Sequence, residues 1–158
     1  MTAFRLRKEA KNWFKDIHDK NNLSIDFDLY YYCLMAGLAV NLKKDDFSVS
    51  DTSELLDYFP ARYKEKSRVI ISIFISRHLS SQGVTLTDKK AAHAYISKVI
   101  SPESQSLLSD EGMRQLNGYA YRGYEELTSW FSERPRTLES FLRIFSQKIS
   151  EKIKPFNI

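Results

Sequence analysis

Lys8, Lys11 and Lys15 recur at three- and four-residue spacing, with Arg5 and Arg7 just upstream. On a helix this spacing lines ammonium groups along one side, and closely spaced cations on a rigid element displace counterions from nucleic-acid phosphates. The same lysines also serve as the solvated side of an amphipathic helix. Towards the other end, Arg134 and Arg136 flank Pro135, and between the two basic regions Asn117-Gly-Tyr-Ala-Tyr-Arg-Gly-Tyr124 interleaves aromatics with an arginine. That composition suits a base-stacking platform. The helical wheel divides it: Leu116, Tyr119, Ala120, Gly123, Tyr124, Leu127, Trp130 and Phe131 fall on one side and read as a core face. Gly123 is the close-packing point of that face, and Tyr121 and Arg122 are left as surface contacts. The candidate nucleic-acid-binding residues are therefore Arg5, Arg7, Lys8, Lys11, Lys15, Tyr121, Arg122, Arg134 and Arg136.

Catalytic chemistry is poorly provided for. His18, His78 and His93 lie far apart, with neither His-Glu-x-x-His nor Cys-x-x-Cys spacing, so no metal site is expected. There is no glycine-rich phosphate loop and no nucleophile elbow, so no cofactor is expected either. The lone Cys33 sits in an apolar run, reads as a reduced core thiol and has no partner for an internal disulfide. Asp45, Asp46 and Asp51 lack the EF-hand pattern and read as loop solvation. These absences point away from an enzyme.

The elements that position these residues are helical in period. Val69-Ile-Ile-Ser-Ile-Phe-Ile-Ser-Arg-His-Leu79 is the densest apolar run, and its flanks extend it from Arg62 to Ser81 without a breaker. That length predicts a helix rather than a strand, buried at the centre of the fold. Leu6, Ala10, Trp13, Phe14 and Ile17 follow one helical face, and Asp26–Val40 is apolar almost all round with acids in its first turn. Asp51-Thr-Ser-Glu54 has capping-box spacing and predicts a short helix through Leu55, Leu56 and Tyr58. Thr87 is expected to cap a helix over 88–100, and Ser101-Pro102 to restart one. Ser109–Gly112 reads as a joint before a helix over 113–131, and Thr137 caps the last helix, striped by Leu138, Phe141, Leu142, Phe145 and Ile149. The expected class is all-α: a compact single-domain bundle of six to seven helices around the buried 62–81 helix, with one domain over 1–158.

Composition agrees with that class. Five glycines and four prolines leave little room for disorder, and the apolar and charged shares are those of an ordinary globular chain. The net charge of +4 is unevenly spread. Residues 1–15 carry Arg5, Arg7, Lys8, Lys11 and Lys15 against Glu9 alone. Residues 129–158 carry Arg134, Arg136, Arg143, Lys148, Lys152 and Lys154 against Glu133, Glu139 and Glu151. Basic ends flank a mildly acidic middle, an asymmetry that attracts a polyanion or an acidic protein. No apolar h-region follows the first residues, and the apolar runs are too short to span a bilayer, so a cytoplasmic protein without membrane contact is expected.

Phe4-Arg-Leu-Arg-Lys-Glu-Ala-Lys11, the Tyr30–Val40 helix with its Ala-Gly-Leu-Ala, and Leu116-Asn-Gly-Tyr-Ala-Tyr-Arg-Gly-Tyr-Glu-Glu-Leu127 together resemble the small helical accessory proteins of bacterial DNA phosphorothioation (Dnd-type) systems. The resemblance implies an all-helical, non-catalytic accessory subunit of a DNA-modification or phage-defence complex. It also implies protein partners from that system and duplex DNA within reach of the basic termini. Two other readings stand beside it. One is a protein-interaction or assembly module whose basic ends meet an acidic partner without touching nucleic acid. The other is a nuclease-like or other hydrolase with an unrecognised site.

Overall fold

Residues 5–7 form the first element, β1 (Arg5–Arg7), followed by α1 (Glu9–Trp13), α2 (Asp26–Val40), β2 (Thr52–Glu54), α3 (Lys64–Ser81), α4 (Lys89–Val99), α5 (Asp110–Ser129) and α6 (Leu138–Lys152) in a computed structural model that describes residues 2–155. The fold is mostly helical, with six helices and one two-stranded antiparallel sheet among the described residues. The expected all-α class therefore holds only in its coarser form. These residues gather into two compact units. One comprises residues 5–55 and 117–154, the other residues 2–4, 56–116 and Pro155.

In the first unit, β1 replaces the start of the expected N-terminal helix. Arg5 pairs with Glu54, Leu6 with Ser53 and Arg7 with Thr52 across the ladder. Period-two alternation buries Leu6 while its neighbours stay half-exposed, and opposite charges face each other at Arg5 and Glu54. Ala10, Phe14 and Ile17 are buried as their spacing predicts, but only five residues of that stretch are helical. Asp51–Glu54 likewise does not start a helix: Val49–Asp51 is a single 3₁₀ turn that leads into β2.

The second helix carries the heart of this unit. Eleven of its fifteen residues are buried, and Asp28 at its third position accepts the Ile25 N–H at 3.0 Å. A Cβ built on Gly37 would lie 2.1 Å from the Tyr119 carbonyl oxygen, and one on Gly123 would lie 1.8 Å from that of Cys33. The two backbones touch where each helix has a glycine, so the expected close-packing role of Gly123 is realised. Asn41 ends α2 in the left-handed region at φ 56°, its side-chain oxygen accepting from the Tyr119 hydroxyl at 3.0 Å. Thr137 caps α6 as expected, accepting the Ser140 N–H at 3.2 Å, and Phe141 and Phe145 carry its buried stripe.

The second unit contains α3, the helix expected at the centre. It runs Lys64–Ser81 behind a 3₁₀ turn at Ala61–Tyr63, and only six of its eighteen residues are buried. Val69 is 60% exposed. The polar residues Lys64, Glu65, Lys66, Arg68 and Ser72 hold one side in water and take Val69 with them, while Ile70, Ile71, Phe74 and Leu79 carry the burial. Asp88, not Thr87, caps α4, accepting the Ala91 N–H at 3.2 Å. Ser101-Pro102 does not restart a helix. That stretch is a braced turn, closed by a bridge between Ile100 and Leu108, with Leu107 held at φ 68°. The fifth helix begins three residues earlier than expected because the Ser109 hydroxyl caps the Gly112 N–H at 3.0 Å.

Candidate nucleic-acid interface

The strand conformation of residues 5–7 decides the fate of two candidate cations. The Arg5 guanidinium meets Glu54 at 3.2 Å across the ladder. Arg7 meets Glu9 at 2.7 Å and Glu125 at 2.8 Å, and lies over the rings of Tyr121 and Tyr124 at 4.4 and 5.0 Å. Burial pulls the Arg7 pKa down, but the hydrogen bonds to Glu125 and Glu9 outweigh it and raise the value overall. These two arginines hold the unit together and are not a free phosphate-binding pair.

Tyr121, expected at the surface, is buried. Its hydroxyl donates to Asp51 at 3.1 Å, its ring stacks on Phe47 at 5.2 Å, and burial raises its pKa. The wheel places it off the core face of α5, yet the 47–51 segment folds over that side. Arg122 lies 3.8 Å from Glu125 and 3.6 Å from Glu126 on its own helix. Neither residue offers a stacking surface.

Of the remaining candidates, Arg134 and Arg136 converge on one carboxylate. Lys8, Lys11 and Lys15 are exposed, and Lys8 and Lys15 make no ion pair among the described residues. Lys11 lies 3.1 Å from Asp26, whose other oxygen is 3.0 Å from His18 Nε2. Asp16, next to Lys15, collects both C-terminal candidates: Arg134 at 3.3 Å and Arg136 at 3.9 Å. Two arginines from the C-terminal region thus meet one carboxylate of the N-terminal region, the sequence neighbour of Lys15. Arg136, 66% exposed at its side chain, keeps most of its guanidinium in water. The nearby Trp13 makes edge-on contacts with Phe14, Phe131 and Phe141. Such cations are able to contact phosphates, which position a nucleic acid without reading its bases.

Asp16 was not legible as a part of this surface, because its partners lie at the far end of the chain and no local spacing announces them. Cys33 is 1% exposed, and burial pushes its thiol far above the ordinary range. Among the described residues, no group of three His, Cys, Asp or Glu side chains is placed to hold a metal ion, and no helix is long and apolar enough to cross a membrane. Comparison of the chain with protein-family models, curated proteins and solved structures gave no match.

Proposed function

We propose that the protein is a non-catalytic helical accessory subunit that contacts duplex DNA through Lys8, Lys11, Lys15 and Arg136, with Arg134 beside them. The observation that carries this reading is the convergence of Arg134 and Arg136 on Asp16, next to Lys15. A polyanion engages clustered cations far better than scattered ones, because each neutralised phosphate releases its condensed counterions. Without an exposed aromatic or a recognition helix at this surface, binding is independent of sequence. The work of a DNA-modification or defence complex gives such a subunit its place, as the resemblance of the 4–11, 30–40 and 116–127 segments implies.

Titration of a labelled random-sequence duplex at low salt tests the reading. Wild type binds, and the Lys8→Glu, Lys11→Glu, Lys15→Glu triple variant loses that binding while its melting temperature stays put. A triple variant that binds like wild type overturns the reading.

A second reading is favoured by the internal pairing of Arg5, Arg7 and Arg122, which reduces the cations open to a polyanion. On that reading the same surface meets an acidic protein and the chain is an assembly module. A duplex that does not bind at low salt, with a partner retained by wild type and lost by the triple variant, supports it.

A further inference from the structure

A cavity of about 470 Å³ opens in the unit that contains α3, lined by Tyr58, Phe59, Lys64, Ser67, Gln105 and Leu107. Its volume lies in the range of sites that enclose a small molecule, roughly 300–1,000 Å³. The walls are built from three segments. Lys64 and Ser67 stand one turn apart at the start of α3, and Tyr58 and Phe59 come from the stretch before it. Gln105 and Leu107 come from the braced turn before α5.

That turn is fixed in place. The Leu107 N–H donates to Ser104, the Ser101 N–H donates to Leu107, and the Ser104 hydroxyl donates to the Leu108 carbonyl at 2.9 Å. These bonds hold Leu107 at φ 68°, a conformation that L side chains with a Cβ rarely adopt. Strained backbone over-determined by its surroundings gathers at ligand sites, and here the strained residue is itself a wall of the cavity. The rim adds unused polar chemistry. Neither the Lys64 ammonium nor the Gln105 amide makes a hydrogen bond or ion pair among the described residues, and Tyr58 is 41% exposed.

We propose that this cavity binds a nucleoside monophosphate. The Lys64 ammonium takes the phosphate, the Gln105 amide takes the donor–acceptor edge of the base, and Tyr58 with Leu107 supplies the apolar surface for its plane. A single aromatic acid has no use for the amide, and inorganic phosphate has none for the apolar walls. A free mononucleotide and the terminal nucleotide of a 5′-phosphorylated strand share this chemistry.

Amide-resolved NMR titration of the full chain with adenosine 5′-monophosphate tests the site. Shifts at Ser67, Gln105 and Leu107 that saturate are expected, with adenosine and inorganic phosphate each binding at least about tenfold more weakly. Lys64→Ala and Gln105→Ala lie on the surface and keep the melting temperature, and each weakens binding by about tenfold or more. The Lys8→Glu, Lys11→Glu, Lys15→Glu triple variant leaves the shifts unchanged, which separates this site from the basic surface. A 5′-phosphorylated single strand that produces the shifts where the free mononucleotide does not identifies the strand end as the source. Absence of saturable shifts with both, or equal binding of adenosine or phosphate alone, overturns the proposal.

Discussion

The Cα of Gly123 faces the carbonyl oxygen of Cys33 so closely that a Cβ there would sit 1.8 Å from it. The obstacle is backbone, not a side chain that can swing away. Gly123→Ala gains helix propensity of about 1 kcal/mol, yet must push two helices apart. Overpacking of a tight core costs roughly 1–3 kcal/mol and occasionally more. The expected net outcome is destabilisation, read as a lower denaturation midpoint in urea. A raised midpoint would show that the two helices do not cross at this point.

Asn117 is the polar hub of the same unit. Its side-chain oxygen accepts from the Tyr30 hydroxyl at 2.8 Å and from the Arg5 N–H at 3.0 Å. Asn117→Leu strands both donors, and each unsatisfied buried group costs about 1–3 kcal/mol. Tyr30→Phe removes one donor with its partner still engaged by Arg5, and is expected to cost less. Equal losses from both substitutions in chemical denaturation would mean that the Arg5 bond contributes nothing.

Stability should fall in alkali, and the sign follows from which protonation state the fold prefers. Burial raises the pKa of Cys33 and of Tyr30 above their ordinary values of 9.0 and 10.0. The folded state then holds protons that the unfolded state releases. The stabilisation is whole below pH 9 and declines as pH rises, by about 1.4 kcal/mol per pH unit for each group titrating in the unfolded chain. Cys33→Ala is expected to move the onset of that decline up towards the tyrosine value. An onset unchanged by the substitution would place the cause elsewhere.

What the sequence reveals and conceals follows from the reach of each interaction. Thr137, Cys33 and the Tyr119–Gly123 face were readable because a cap or a helical period is written within a few residues. Leu6 fits a helical period with Ala10 and Phe14 as well as it fits a strand. Its partner Ser53 decides the matter, and nothing near Leu6 announces it. Tyr121 was misplaced for the same reason, since Phe47 and Asp51 cover it from another part of the chain. On α3 the apolar letters outweighed the charged first turns, and those turns keep Val69 in water. Of the basic residues, the lysines were legible one by one, but the meeting of Arg134 and Arg136 at Asp16 was not.

On the proposed reading, Asp16 competes with phosphate for the two arginines it pairs with. Asp16→Asn frees them and adds a unit of positive charge, so duplex affinity at low salt should rise by about two- to fivefold, the equivalent of an exposed ion pair. Filter binding or anisotropy reads this directly. Weaker binding in the variant would mean that Asp16 positions the arginines for the contact.

Whether this surface meets phosphates is tested most directly by the salt dependence of duplex binding. The logarithm of the association constant is expected to fall linearly with the logarithm of salt concentration, with a slope of about −0.9 for each phosphate neutralised. Removing Lys8, Lys11 or Lys15 singly should make that slope shallower by about 0.9 and weaken every duplex sequence alike. A slope that none of the three substitutions alters would contradict the assignment of this surface to DNA.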